Sequence, residues 1–91
     1  MRGSGRTTRQ IASLPDGAIF VWVGYETRYA RKIAEELGKK IRVEPRSWIM
    51  SHNWRGVDLP FVEVDHALEP TPSERDNLLS IAHRLLARRK Q

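Results

Sequence analysis

The feature that most constrains this chain is an uninterrupted apolar run over residues 18–24, AIFVWVG. The run is rich in β-branched and aromatic residues and has no polar alternation, which is typical of a strand covered on both faces. Gly24 ends the run, and a helical pattern begins a few residues later. We therefore predict a β-α-β unit built on this strand, with the rest of the chain packed around it.

Two weaker apolar runs, residues 41–44 and 61–65, lie at positions that suit a second and a third strand. Between the first two strands, apolar residues at spacings of one, three and four predict a helix over residues 27–37. Gly38 is placed to end that helix in a left-handed conformation. Glu63 within the third strand indicates an edge position, or a polar group that covers the side chain.

The last helix has the best local signal in the chain. Thr71 fits the N-cap, Pro72 the first helical position and Glu74 the third, which together predict a capping box. The stripe of this helix that we expect to be buried consists of Leu78, Leu79, Ile81, Ala82, Leu85 and Leu86. Upstream, residues 46–60 are irregular, with room for a turn of helix around residues 48–50.

These elements predict a small, Rossmann-like α/β domain. Its three-stranded, mainly parallel sheet has the order 2-1-3 and is flanked by two helices. Residues 1–10 are predicted to form a flexible basic arm, and residues 11–91 the single domain. Because so few strands leave the sheet edges poorly covered, a homodimer paired through an edge or a helix is a candidate assembly.

Composition limits the classes of function. A formal net charge of +5 and a sequence pI of about 10.2 favour nucleic acid or an acidic protein as partner. The chain has no cysteine, which excludes disulfides, thiolate zinc sites and a cysteine nucleophile. Its longest apolar run is far shorter than the roughly 20 residues that span a bilayer. We therefore expect a cytoplasmic protein with no membrane partner.

The strand order predicts a crevice, because ligands on such sheets lie beyond the carboxyl ends of the strands, where the winding direction reverses. Its predicted rim consists of Gly24, Tyr25, Glu26, Asp65 and His66. Asp65 and His66 could supply a carboxylate and a base, with His52 as a further catalytic candidate. The alternative is that Asp65 ends a strand and His66 begins a turn.

A second candidate surface combines tryptophan with basic residues. Exposed indoles interleaved with arginine stack on bases and contact phosphates, and they also anchor protein interfaces. The residues predicted to bind nucleic acid or a partner are Arg46, Trp48, His52, Trp54, Arg55, Arg88, Arg89 and Lys90. The alternative is that at least one of the two tryptophans folds back to cover the sheet.

Several motifs are absent from the sequence. It contains no glycine-rich phosphate loop, no dinucleotide fingerprint and no Gly-x-Ser-x-Gly elbow. The three histidines have no metal-site spacing. We accordingly predict no cofactor and no bound metal.

One resemblance to a known family appears in the second half of the chain. Residues 55–67, RGVDLPFVEVDHA, resemble the Arg-Gly spacer, apolar strand and Asp-Glu-Ala-His run of helicase and phage terminase ATPases. Residues 20–37 are similar to the strand and helix that precede that run. The resemblance implies that Asp65 stands where the family holds magnesium, whereas His66 replaces the acid that orients water. Without a phosphate-binding loop, it implies a degenerate P-loop ATPase fold of viral or mobile-element origin, acting in a host cell.

Three functions remain open from the sequence. The first is a non-catalytic interaction module that binds nucleic acid or an acidic protein through its basic and Trp/Arg surfaces. The second is a regulatory protein that docks on and inhibits a host or cognate enzyme through Trp48, Trp54 and the last helix. The third is a small hydrolase that uses Asp65 and His66, so the sequence leaves enzymatic activity undecided, with binding favoured.

Overall fold

The structure, a computed structural model, describes residues 5–24, 26–51, 53–56 and 58–89, without the side chains of residues 88 and 89. Its elements are helix α1 (Arg6–Ala12), strand β1 (Ile19–Val21), helix α2 (Arg28–Glu36), strand β2 (Arg42–Glu44), a 3-10 helix (Arg46–Met50), strand β3 (Val62–Val64) and helix α3 (Pro72–Arg89). The strands form an all-parallel sheet in the order β2-β1-β3. The predicted fold class and strand order are confirmed.

Strand β1 lies at the centre of the sheet, and all of its residues are buried. Phe20 faces α1 and α2, where it packs with Ile11 and Ile33. Ile19 and Val21 face the opposite side, in a cluster that contains Trp48, Ile49, Trp54 and Ile81. Because successive side chains of a strand point to opposite faces, this one apolar run supplies the core of both layers.

Helix α2 ends as its sequence predicts. Gly38 has a φ of 70°, which a residue with a side chain rarely adopts. The Gly38 N–H donates to the Glu35 carbonyl at 3.1 Å, and the Lys39 N–H donates to the Ala34 carbonyl at 2.9 Å. These two bonds form a Schellman motif. The Lys39 ammonium also donates to the Leu14 carbonyl at 2.8 Å, which ties the helix end to the segment before β1.

The capping box of α3 is confirmed. The Glu74 N–H donates to Thr71 Oγ1 at 3.2 Å, and the Thr71 N–H donates to Glu74 Oε1 at 2.9 Å. The predicted buried stripe of this helix is wrong in part. Ile81 is buried, and Leu78 and Leu85 pack partly against the core, whereas Leu79, Ala82 and Leu86 are exposed. A single sheet face can cover only a narrow stripe of α3, so the adjacent row of side chains stays in water.

Helix α1 begins within the residues that the sequence predicts to form a flexible arm. The helix begins at Arg6, and its last turn is anchored to the core and to the sheet. Ile11 and Leu14 are buried, and Gln10 bonds to β3 at two points. Residues 1–4 of the predicted arm lie outside the described residues.

Strand β3 is an edge strand and is only partly buried along its length. Both expectations for Glu63 are confirmed. It lies on an edge strand, and its carboxylate accepts a hydrogen bond of 2.7 Å from the Gln10 amide. The second free edge belongs to β2. Among the described helices, none combines the length and the apolar character that a bilayer crossing requires.

Candidate functional site

A groove of about 810 Å³ lies beyond the carboxyl ends of β1 and β3, at the place where the sequence predicts a crevice. Its walls include Arg6, Thr7 and Thr8 of α1, Trp22 and Val23 after β1, Glu26 and Tyr29 around the start of α2, and Asp65, His66 and Ala67 after β3. Of the predicted rim, Glu26, Asp65 and His66 line this groove. Tyr25 lies outside the described residues.

An aromatic pair forms one wall of the groove, and the sequence analysis did not select either residue as a site residue. The rings of Trp22 and Tyr29 have centroids 5.5 Å apart and an interplanar angle of 42°. Tyr29 is 50% exposed. Gly24, which the sequence analysis placed in the rim, is not among the described lining residues of the groove. A Cβ atom at that position would lie 2.6 Å from the indole Nε1 of Trp22.

Asp65 and His66 form a pair that also lines the groove. His66 Nδ1 lies 3.1 Å from Oδ1 of the buried Asp65. Gln10 Oε1 accepts from the His66 N–H at 3.1 Å and lies 3.4 Å from His66 Nδ1. The Gln10 amide nitrogen donates to the Val64 carbonyl at 2.7 Å as well. Gln10 therefore connects α1 to β3 and to the turn that carries His66, a role that its polar character alone did not reveal.

A second, shallower cavity of about 420 Å³ adjoins the first and is lined by Arg6, Arg9, Gln10 and His66. The two cavities share Arg6 and His66. Among the described residues, Arg6 takes part in no ion pair with a carboxylate. Through these shared residues, the groove that holds the aromatic pair adjoins a cavity lined by two arginines.

The predicted Trp/Arg surface is corrected by the structure. Trp48 and Trp54 are each only 4% exposed and pack on the α3 side of the sheet. Trp54 Nε1 donates to the Ile49 carbonyl at 3.1 Å, and the Arg55 guanidinium lies 5.0 Å from the centroid of the Trp54 ring. Both tryptophans follow the alternative of covering the sheet, because so small a domain needs their apolar area in its core.

Arg46 is also engaged within the fold. Its Nε and Nη2 donate to the two carboxylate oxygens of Glu74 at 2.8 Å each, and Nη2 donates to the Glu69 carbonyl at 2.9 Å. The hydrogen bond from Arg46, helped by those from Thr71, lowers the pKa of Glu74 from 4.5 to about 2. A planar guanidinium held by two bonds in this way is a structural clamp, and it is poorly placed to bind phosphate.

The remaining predicted site residues are only partly described. Arg55 is exposed. His52 and Lys90 lie outside the described residues, as do the side chains of Arg88 and Arg89, so their predicted roles stay predictions. In the described ranges, no three histidine or acidic side chains converge as a metal site would require.

No protein-family model matches the chain, and no curated protein or solved structure is significantly similar to it. The resemblance to helicase and terminase ATPases therefore stays a hypothesis. What the groove can do chemically has to be inferred from its own side chains.

Proposed function

We propose that this protein is a small non-catalytic binding module that associates with nucleic acid through the groove and the adjoining basic cavity. The observation that carries the proposal is that Arg6 and His66 line both cavities, of which one contains the aromatic pair and the other contains Arg9. Arginine and aromatic side chains along one groove are the usual means of holding a strand of nucleic acid.

The distribution of charge supports the same surface. The net charge is +5, which attracts polyanions over a long range. Elsewhere in the fold two arginines are engaged by carboxylates, Arg42 by Glu44 at 2.6 Å and Arg46 by Glu74 at 2.8 Å. Arg6 has no such partner within the described residues, so its charge is available to a ligand.

The resemblance to helicase and phage terminase ATPases belongs to this proposal. A P-loop fold without its phosphate loop would retain the sheet and the crevice and lose hydrolysis. A viral or mobile-element origin fits a chain that contacts nucleic acid without acting on it. The regulatory-docking alternative is weaker, because the two tryptophans that were to anchor a partner are buried.

The test is a titration of labelled single-stranded DNA, single-stranded RNA and duplex DNA, followed by fluorescence anisotropy over a range of salt concentrations. We expect the affinity for at least one of them to fall steeply with salt. Arg6→Ala should weaken binding and reduce the salt slope by about 0.7 per lost phosphate contact on a single strand. Arg55→Ala is the matched control, since Arg55 is exposed elsewhere on the fold. Undetectable or salt-insensitive binding to all three would contradict the proposal.

A hydrolase is the second candidate, and one observation favours it. Asp65 lies within hydrogen-bond distance of His66 Nδ1, and the hydroxyl-bearing Thr7 and Thr8 line the same groove. A carboxylate that orients an imidazole next to a hydroxyl is the arrangement used to activate a nucleophile. The pair also has a structural role, because Asp65 Oδ1 accepts from the Ala67 N–H at 3.4 Å. Turnover on phosphodiester or ester substrates that disappears in Asp65→Asn would support this function, and unchanged turnover would remove these residues from the site.

A further inference from the structure

We infer that the groove holds one unpaired base of a single strand, stacked on the Trp22–Tyr29 pair, while the phosphates of that strand lie along Arg6 and Arg9. The inference rests on the proposed nucleic-acid function and names the ligand of the same groove. It is specific in three respects: the strandedness of the ligand, the part of it that enters, and its orientation.

The aromatic pair determines what enters. Trp22 is half-buried and braced by Tyr29, with the ring centroids 5.5 Å apart. Tyr29 keeps half of its surface in water although it is a large aromatic side chain in a small domain. A partly exposed aromatic surface that lines a groove suits a planar apolar ligand, and every nucleobase presents such a face.

Whether the ligand is a single strand or a duplex follows from which base faces can reach the aromatic pair. The groove, at about 810 Å³, is within the size range of pockets that enclose small ligands. The bases of a duplex are stacked on one another and paired, so their faces cannot reach Trp22 and Tyr29. In a single strand, turning one base outward costs little free energy.

The acidic groups of the groove determine the orientation. Glu26 and Asp65 both line the groove, whereas the described lining of the adjoining cavity, Arg6, Arg9, Gln10 and His66, contains no carboxylate. Phosphates are therefore favoured in the adjoining cavity. Asp65 is already engaged by His66 at 3.1 Å, whereas Glu26 is exposed. A carboxylate accepts hydrogen bonds from exocyclic base amines such as N4 of cytosine. The base therefore enters the groove that holds the aromatic pair and the carboxylates, and the phosphates lie along Arg6 and Arg9 in the adjoining cavity.

Gly24 acts as a positioning residue for this site. Because a Cβ atom at that position would lie 2.6 Å from Trp22 Nε1, the indole must shift in Gly24→Ala. The variant alters the stacking surface without removing any aromatic or charged group.

The experiment compares binding of short oligo(dC), oligo(dT) and a duplex of the same length to the full chain and its variants. We expect single strands to bind more tightly than the duplex, and Tyr29→Ala to weaken single-strand binding by about tenfold, while Tyr29→Phe restores it. Phe61→Ala is the matched control, since Phe61 is an exposed aromatic outside the groove, and it should bind as the wild type does. Far-ultraviolet circular dichroism and thermal unfolding establish that each variant is folded.

Intrinsic fluorescence provides a second readout. Trp22 lines the groove, whereas Trp48 and Trp54 are buried on the other side of the sheet, so bound bases should quench Trp22 alone. Trp22→Phe should abolish the quenching, and Gly24→Ala should reduce it. Glu26→Gln should reduce any preference for oligo(dC) over oligo(dT).

The possible failures are distinguishable. Salt-sensitive binding that Tyr29→Ala and Gly24→Ala leave unchanged would overturn the inference and leave the proposed function standing. Tighter binding of the duplex, or quenching that persists in Trp22→Phe, would overturn it in the same way. No binding to any nucleic acid would overturn both.

Discussion

Two regions of this molecule contain the same kinds of side chain and use them in opposite ways. On the α3 side, Trp48 and Trp54 are closed to solvent, and Arg46 is held by Glu74. On the α1 side, Trp22 and Tyr29 line an open groove with Arg6. The exposed fraction is 4% for Trp54 and 50% for Tyr29. Residue type alone therefore does not distinguish a core cluster from an open groove.

The difference between the two regions comes from what is packed above them. Helix α3 brings a carboxylate, Glu74, within reach of Arg46, and Ile81 closes over the cluster that contains the tryptophans. The groove lies past the ends of the strands, where α1 and the start of α2 contribute to its walls. Polar and aromatic groups become available to a ligand where the layers of the fold end.

The substitution expected to show the largest difference in stability between the two regions is Trp54→Ala, in the buried cluster. It should cost about 3–5 kcal/mol of unfolding free energy, because it removes a buried indole and its hydrogen bond to the Ile49 carbonyl. Tyr29→Ala, at the open groove, should cost less than about 1 kcal/mol. Urea denaturation measures both. Equal losses would mean that the two regions are equally part of the core.

A smaller effect is expected for Gln10→Ala, which cuts the link between the groove wall and the sheet. The Gln10 amide bonds to Glu63, to Val64 and to the His66 N–H, so its loss should cost about 2 kcal/mol. Ser13→Ala is the control, since that exposed hydroxyl bonds only to the Gln10 carbonyl among the described contacts. Hydrogen exchange of α1 should rise in the first variant alone. Unchanged exchange would show that Ile11 and Leu14 suffice to hold the helix.

The pH dependence of stability tests the internal clamp. The folded pKa of Glu74 is depressed from 4.5 to about 2, so its contribution is present above pH 4.5 and is lost as the pH falls towards 2. We expect a contribution of about 1 kcal/mol, below what the full shift would imply, because solvent screens a pair in which Arg46 is 35% exposed. At neutral pH, Glu74→Gln should be less stable than the wild type by that amount. Its free energy of unfolding should also fall less than that of the wild type as the pH is lowered from 4.5 to 2.

The control for this measurement is Glu69→Gln, whose exposed side chain makes no contact with Arg46 among the described bonds, although its carbonyl does. Its stability should follow the wild-type pH profile. If Glu74→Gln shows the same acid limb as the wild type, the clamp does not contribute to stability.

The smallest expected effect is that of Arg55→Ala. Its guanidinium lies over the Trp54 ring at 5.0 Å in an exposed position, so its loss should cost about 0.5 kcal/mol. Nucleic-acid binding should not change, in contrast to Arg6→Ala. A large loss of binding in Arg55→Ala would return the binding surface to the region that the sequence first indicated.

Local patterns predicted the elements that depend on neighbouring residues. The apolar run around Phe20, the glycine that ends α2 and the capping box of Thr71 and Glu74 involve contacts within a few residues of each other, so their patterns are visible along the chain. The strand order followed from them, since parallel strands joined by a helix leave few arrangements. The crevice at Asp65 and His66 then followed from that order.

The partners of polar groups could not be predicted in this way, because they are distant in sequence. Arg46 is hydrogen-bonded to Glu74, which is 28 positions away in the sequence, and Gln10 to Glu63, which is 53 positions away. The extent of α1 and the exposure of Leu79 and Leu86 likewise depend on how much sheet surface is available to cover them. The sequence by itself determined which segments form strands and helices and in what order they pack, since hydrophobic period and capping act locally. Only the tertiary structure decided which tryptophans are buried, which arginines are paired with a carboxylate and which side chains line an open groove, since burial depends on the groups that the fold brings together.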